Sequence, residues 1–230
     1  MATENASLAE EKRHPKTMNG ARTPPSIPPW QGGNKRGVGR PLDRAFFSRP
    51  TLVVARELLG CKLYHRSGAE VGQGRIVEVE AYTNDAASHA RHARRTPRNA
   101  VMFGPPGHAY IYSIYGMYLC LNAVTEVEGV PAAVLIRGLD GIDGADGPAR
   151  LCRALGITRA QNAVDLTTDD TLWIAPGRPR RKERIIQTTR IGIRVATDLP
   201  WRFYLAGSSG VSKVDRKAER ATDMPVRRAR

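Results

Sequence analysis

The pattern of hydrophobic and polar positions predicts a first helix just after residue 50. Ser48 or Thr51 would cap this helix, and Gly60 would end it. Its apolar stripe would consist of Leu52, Val53, Leu58 and Leu59. Residues 72–82 alternate instead with the period of two that is typical of a strand. One face of this strand would carry Ile76, Glu78, Glu80 and Tyr82, and the other Val77, Val79 and Ala81.

Further elements follow without a regular strand–helix–strand repeat. Residues 108–126 predict a β-hairpin that turns at Tyr115 and Gly116, and residues 131–141 predict another strand. Residues 147–157 predict a helix with Pro148 in its first turn. Late strands are expected in RIGIRVA (190–196) and RFYLAG (202–207). This order predicts a single α+β domain with a mixed, mostly antiparallel sheet flanked by helices.

The chain ends are predicted to lie outside this domain. Residues 1–40 are rich in proline and glycine, lack apolar periodicity and hold seven basic against three acidic residues, so we expect a disordered basic arm. Residues 216–230 hold six basic against two acidic residues and form a basic C-terminal tail. The formal charge is +14, of which each end supplies +4, so the domain at 41–215 keeps +6. This excess favours a polyanionic partner beyond what the ends alone would attract.

Composition excludes several classes of protein. Cys61, Cys120 and Cys152 are odd in number and widely spaced, which argues against a disulfide scaffold and fits a reducing compartment. No run of 18 apolar residues and no apolar leader occur, so neither a membrane span nor a secretory signal is expected. Walker, dinucleotide-binding and nucleophile-elbow motifs are missing as well.

Two groups of residues suggest chemistry. Glu78 and Glu80 share a strand face, where like charges raise the pKa of at least one carboxyl and so suit a general acid or base. Two solvated glutamates on an exposed strand edge would give the same sequence pattern. Four of the seven tyrosines lie at 110–118, where rings in a basic surface could stack on bases or enter a duplex, or simply fill a core hairpin. His89 and His92, with at most Asp85 as a third ligand, offer few ligands for a metal ion, so no metal is expected.

Six motifs then point to a family. RIVEVEAY, SHARHARRTPRN, MFGPPGHAYIYSIYGMYLCLN, LIRGL, GPARLCRALGI and RFYLAG occur in this order between Phe46 and Asp215. Their combination resembles the alkyladenine (3-methyladenine) DNA glycosylases. The resemblance implies one domain with an antiparallel sheet and a protruding β-hairpin, without metal or organic cofactor. It implies a monomer that flips damaged purines such as 3-methyladenine out of double-stranded DNA and hydrolyses the N-glycosidic bond in base excision repair.

The resemblance also implies residue roles. Glu80 would be the general base on the attacking water, and Arg137 would help to hold that water and a backbone phosphate. The pocket for the flipped base would be formed by Tyr82, His89, Tyr112 and Asn122, the last clashing with the 2-amino group of guanine. Tyr115, with Met117 beside it, would enter the gap left in the duplex. Backbone contacts would come from Arg98 and from Arg150, which stands where the family often has lysine.

These roles agree with the chemistry of the residues. A nearby carboxylate stabilises an oxocarbenium-like transition state, and aromatic rings attract a base made cationic by alkylation. No lysine stands near the motifs to form a Schiff base, so no lyase activity is expected. Two alternatives stay open: a non-catalytic nucleic-acid binder, and, less well supported, a carbohydrate glycosidase using Glu78 and Glu80. The resemblance further implies a cytoplasmic, nucleoid-associated protein if bacterial and a nuclear one if eukaryotic, and it leaves open which lesions are excised.

Overall fold

The computed structural model describes residues 38–223. The predicted N-terminal arm therefore lies outside the described residues except for its last three positions, and so do residues 224–230 of the tail. The helices are α1 (Arg44–Phe47), α2 (Thr51–Leu58), α3 (Pro148–Leu155) and α4 (Arg216–Asp223). The strands are β1 (Lys62–Ser67), β2 (Glu70–Tyr82), β3 (Ala109–Ile114), β4 (Tyr118–Val124), β5 (Ala133–Asp140), β6 (Leu172–Ala175), β7 (Ile185–Thr188) and β8 (Arg202–Leu205).

One sheet organises the domain. Its main path runs β3-β4-β5-β2-β1-β6, and β8 joins β2 to β7. The expected α+β domain is therefore confirmed, and every strand pairing within residues 38–223 is antiparallel. The long strand β2 pairs with β5 on one side, and on the other its first half pairs with β1 and its second half with β8. This central position makes β2 the strand on which the candidate site is built.

Two register shifts interrupt the pairing of β2 with β5. Ile76 pairs with Leu139 and Glu78 with Gly138, so Val77 bulges out of β2, and the next shift leaves Arg137 unpaired on β5. A bulge re-aims the side chains around it. The strict alternation expected for 72–82 holds from Gly72 to Arg75 and fails at the bulge, where Ile76 and Val77 both belong to the hydrophobic core. Beyond the bulge, Glu78 and Glu80 keep a common face.

Local signals place α2 and α3 with different accuracy. Pro148 begins α3, and Gly156, at φ +69°, ends it with its N–H bonded to the carbonyls of Cys152 and Arg153. Helix α2 was predicted in the right place but with the wrong cap, because Pro50 precedes it and neither Ser48 nor Thr51 caps it. Its buried face was predicted correctly only in part: Leu58 and the following Leu59 are buried, but Val53 is exposed, and Thr51, Val54 and Ala55 are buried instead.

The late part of the chain differs most from expectation. RFYLAG forms β8 as predicted, and the predicted hairpin is β3 and β4 with Tyr115 and Gly116 at its turn. RIGIRVA is not a strand, because its backbone and side chains bond to β2 and to the loop after it rather than to a ladder. The strands β1, β6 and β7 were not predicted. No helix within residues 38–223 has the length and apolar character needed to span a membrane.

Candidate active site

Glu78 and Glu80 are both fully buried, so the alternative of two solvated glutamates on an exposed edge is wrong. Glu78 is surrounded by donors. Its Oε1 accepts from Arg137 Nε at 3.1 Å, Arg202 Nε at 2.7 Å and Ser212 Oγ at 3.0 Å, and its Oε2 accepts from Ser212 N–H at 2.6 Å. Two arginines thus neutralise this carboxylate, and its four hydrogen bonds leave it poorly placed to act as an acid or a base. Such an enclosed carboxylate argues against a glycosidase that uses Glu78 as the second catalytic acid.

A glycine makes room for this arrangement. Gly138 pairs with Glu78, and a Cβ added to it would lie 2.0 Å from the carbonyl oxygen of Gly210. Only glycine lets the loop before Ser212 approach this closely. The Ser212 N–H can therefore reach Glu78. The Ser212 hydroxyl also accepts a hydrogen bond from Arg137, the residue before Gly138.

Glu80 occupies the next position on the same face and has different partners. Its Oε2 accepts from the Tyr82 hydroxyl at 2.7 Å, its Oε1 accepts from Ile191 N–H at 2.7 Å, and Arg137 Nη1 lies 3.4 Å from Oε1. Both oxygens are held in place, yet Oε2 has a single partner among the described residues. Glu80 thus keeps a lone pair for a further donor such as a water molecule.

The partners of Glu80 are tuned by the same contacts. Burial raises the pKa of Tyr82, and the neighbouring Glu80 charge raises it further, so the phenol stays protonated and donates. Burial works against the charge on Arg137, but Glu80 and Glu78 outweigh it and raise the pKa of its guanidinium. Arg137 therefore remains a cation between the two carboxylates.

A cavity of about 590 Å³ opens beside this cluster. Its volume falls in the range of roughly 300–1,000 Å³ that is typical for small-molecule pockets. Most of the predicted site residues line it together: Tyr82, His89, Arg98, Tyr112, Tyr115, Asn122 and Arg137. Glu80 is not part of its lining, but Tyr82, Arg137 and Ile191, which contact the carboxylate, all are. The carboxylate thus lies directly behind the cavity wall.

Aromatic rings form one wall of the cavity. His89 Nδ1 lies 2.8 Å from the Tyr110 hydroxyl, and the His89 ring packs edge-on against Tyr112 with centroids 4.4 Å apart. Loss of water around the imidazole, together with the charge on Arg98, lowers the pKa of His89. Burial raises the pKa of Tyr110 to about 12, and burial also raises the pKa of Tyr112 above its usual range. At neutral pH this wall therefore carries three uncharged rings.

The floor and the rim of the cavity differ in exposure. Asn122 is buried, and its Nδ2 donates to the Tyr110 carbonyl at 2.9 Å, which fixes the amide across the hairpin. At the hairpin tip Tyr115 is 89% exposed and Met117 is 71% exposed. Tyr115 and Gly116 have φ values of +50° and +73°, as the tightest hairpin turns require. The tip therefore presents two large apolar side chains to solvent beside the cavity.

The two arginines predicted to contact a DNA backbone differ in whether they line the cavity. Arg98 lies over the Tyr112 ring at 5.6 Å and donates to the Ser113 carbonyl at 3.0 Å, at the rim of the cavity. Arg150 lies on α3, where it forms an exposed ion pair with Asp146 at 2.9 Å. Arg150 does not line the cavity, although Pro148 of the same helix does.

Several residues around the site were missed from the sequence. Arg190 bonds both oxygens of Asp85, Ile191 supplies an N–H to Glu80, and Arg202 and Ser212 hold Glu78. Arg202 begins the RFYLAG motif but was given no role, and Arg190, Ile191 and Ser212 lie outside the six motifs. The sequence offers Asp85 as a third metal ligand beside His89 and His92. Among the residues described, no three His, Cys, Asp or Glu side chains are grouped so as to hold a metal ion.

One family model and several known proteins match this chain in sequence. A sequence model of the methylpurine-DNA glycosylase family matches residues 45–209, which include all the residues of the cavity. A protein of Carboxydothermus hydrogenoformans is 45% identical over 189 residues, covering 75% of this chain and 98% of that protein. A protein of Methanoculleus marisnigri is 46% identical over 191 residues, with 75% and 98% covered, and one of Nitrobacter winogradskyi is 45% identical over 197 residues, with 79% and 91% covered. All three are provisionally named 3-methyladenine DNA glycosylases. The chain described here belongs to the methylpurine-DNA glycosylase family.

Proposed function

We propose that this protein excises alkylated purines such as 3-methyladenine from double-stranded DNA by hydrolysing the N-glycosidic bond with a water activated by Glu80. The observation that carries the proposal is the placement of a buried carboxylate directly behind an aromatic cavity. Glu80 bonds to Tyr82 in the cavity wall and lies 3.4 Å from Arg137, so its reactive oxygen is fixed relative to anything stacked on that wall.

The cleavage step uses Glu80 and Arg137 in different ways. Oε2 of Glu80 accepts the proton of the attacking water and stabilises the positive charge that develops on the sugar. Arg137 holds that water and a phosphate of the flipped nucleotide, and its bond to Glu78 keeps its guanidinium in position. The base stacks between Tyr82 and the rings of His89 and Tyr112. Asn122 beneath them rejects the 2-amino group of guanine.

Flipping the base requires a group that fills its place in the duplex. Tyr115 has this role because it stands at the exposed tip of a hairpin whose base lines the cavity, and Met117 supports it. An apolar wedge of this kind opens a base step at a cost of a few kcal/mol. A damaged base is more weakly stacked and costs less to extrude, so selection begins before any bond is broken.

We further propose that the reaction is a simple hydrolysis carried out by a monomer. A strand-cutting lyase needs an amine that forms a Schiff base with the sugar. The residues that line the cavity within 38–223 include no lysine. The abasic site is therefore expected to remain intact in the product.

The first test is release of 3-methyladenine from methylated duplex DNA, followed by chromatography of the free base. Wild-type protein should release the base, and Glu80→Gln should bind the same DNA but lose at least about 100-fold in single-turnover rate. Glu57→Gln, which alters an exposed carboxylate far from the cavity, is the matched control. Full activity in Glu80→Gln would show that another group activates the water, and absence of release by the wild type would favour a non-catalytic binder.

The second test addresses the wedge. Tyr115→Ala should weaken binding to lesion-containing duplex by about tenfold and leave binding to undamaged duplex nearly unchanged, because only the extruded state has a gap to fill. Affinities for both duplexes are compared at one salt concentration. Equal losses on the two would mean that Tyr115 contacts DNA without entering it.

A further inference from the structure

A charged side chain lies against the rear of Tyr82. The guanidinium carbon of Arg190 is 4.6 Å from the centroid of the Tyr82 ring, within the distance of a cation–π contact. The Arg190 side chain is completely buried, and it does not line the cavity that Tyr82 faces. One face of the tyrosine is therefore turned to the cavity and the other to an arginine.

The same arginine is held by a carboxylate and by the backbone. Arg190 Nη2 lies 2.7 Å from Asp85 Oδ1, and Nη1 lies 3.1 Å from Asp85 Oδ2 and 3.0 Å from the carbonyl oxygen of Ala81. On its other side Arg190 packs over Trp201 at 5.1 Å. These contacts place the positive charge next to the Tyr82 ring and pair it with the negative charge of Asp85. The pair thus forms a fixed dipole behind the cavity wall.

We infer that the Arg190–Asp85 pair sets how strongly the cavity prefers cationic over neutral purines. The inference rests on the proposed glycosylase function and adds a determinant of specificity to it. A base alkylated at N3 or N7 carries a positive charge that passes to the sugar as the bond breaks. A neutral base such as hypoxanthine instead gains negative charge as it leaves, unless it is protonated.

A positive charge behind Tyr82 affects the two kinds of base in opposite directions. It draws electron density to the rear of the ring, which weakens the attraction of the front face for a cation. It also repels a cationic base directly and attracts the negative charge that develops on a neutral leaving group. Arg190 therefore disfavours cationic bases relative to neutral ones. Asp85 opposes it.

The experiment compares Arg190→Gln with Asp85→Asn. The single-turnover rate constant divided by the half-saturating protein concentration is measured for a duplex with 3-methyladenine and for one with hypoxanthine, because neither base carries the 2-amino group that Asn122 would reject. Arg190→Gln leaves the Asp85 carboxylate behind the ring and should raise the ratio of the cationic to the neutral substrate by about threefold or more. Asp85→Asn leaves the arginine uncompensated and should lower the ratio by a similar factor. Arg190→Lys keeps the charge and should stay near the wild-type ratio.

The opposite signs separate this role from a structural one. Both variants break the same ion pair, so a purely structural pair would slow both substrates in parallel and leave the ratio unchanged. Ratios that stay within about twofold of the wild type, or that move in the same direction in both variants, overturn the inference. Loss of release from every substrate by the wild type would refute the proposed function instead. Circular dichroism at the assay temperature verifies that each variant is folded.

Discussion

Replacing Glu78 by glutamine tests whether its buried charge holds the site together. The carboxylate accepts four hydrogen bonds, three of them at Oε1 and one at Oε2 from the N–H of Ser212. A glutamine that keeps its oxygen at the Oε1 position must point its amide hydrogens at the Ser212 N–H. The reverse orientation would face Arg137 and Arg202 with donors. Either way at least one donor is left unpaired, Arg202 loses the carboxylate that it bonds, and Arg137 keeps only Glu80, at 3.4 Å.

The expected cost follows from this count. Removing one partner of a buried ion pair costs about 3–5 kcal/mol, and the lower end applies because glutamine retains up to three of the four bonds. For a domain of this size that corresponds to a fall in Tm of roughly 6–12 °C. Thermal unfolding followed by circular dichroism measures it. The single-turnover rate should fall as well, because the bond that orients Arg137 towards Glu80 is charge-assisted and weakens when its acceptor becomes a neutral amide.

Glu57→Gln supplies the control for this prediction. Glu57 forms an ion pair with Arg49 at 2.8 Å, and the glutamate side chain is 51% exposed. Exposed pairs contribute less than about 1 kcal/mol, so this change should lower Tm very little. If Glu78→Gln unfolds at the same temperature as Glu57→Gln, the buried network around Glu78 does not stabilise the fold and the reasoning is refuted.

Three further predictions concern charge and titration. Arg98→Gln should make the negative slope of log binding constant against log salt concentration shallower by about 0.9 for duplex DNA, which is the contribution of one phosphate contact. An unchanged slope would exclude that contact. Desolvation alone would raise the pKa of the Asp165 carboxyl, but hydrogen bonds from Thr167 and Arg44 outweigh it and lower that pKa to about 2. The free energy of unfolding should therefore fall as pH drops from about 4 towards 2. Asp165→Asn should flatten that fall, and an identical acid profile would contradict it. Burial raises the pKa of the thiols of Cys61, Cys120 and Cys152. Iodoacetamide at neutral pH should therefore label these cysteines only after unfolding, and rapid labelling of the native protein would contradict this.

The elements that could be predicted are those specified by neighbours in sequence. The hairpin at 109–124 follows from alternating residues on both sides of Tyr115 and Gly116, where the backbone needs positive φ. Helix α3 follows from Pro148 at its start and Gly156 at its end. In both cases a few adjacent residues carry the whole signal. Tertiary contacts then have nothing to override.

The segment at 190–196 could not be predicted, because its partners are distant in sequence. Its apolar and polar residues alternate like those of a strand, yet Ile191 donates to Glu80, which is 111 positions away, and Arg190 bonds to Ala81, 109 positions away. Those bonds replace a ladder. The bulges at Val77 and Arg137 likewise depend on how two strands meet, which no single strand encodes.

The separate environments of Glu78 and Glu80 show most clearly what the sequence leaves undetermined. Two glutamates on one strand face predict a like-charge pair that perturbs its own titration. Arg137, on β5, donates to Glu78 at 3.1 Å and lies 3.4 Å from Glu80. The positive charge of one guanidinium is therefore shared by the two carboxylates and offsets their repulsion. Arg202 and Ser212 then complete the shell of Glu78, whereas the Tyr82 hydroxyl connects Glu80 to the cavity. The difference between a structural and a proposed catalytic glutamate therefore lies in residues far along the chain, and alternation along β2 cannot distinguish them.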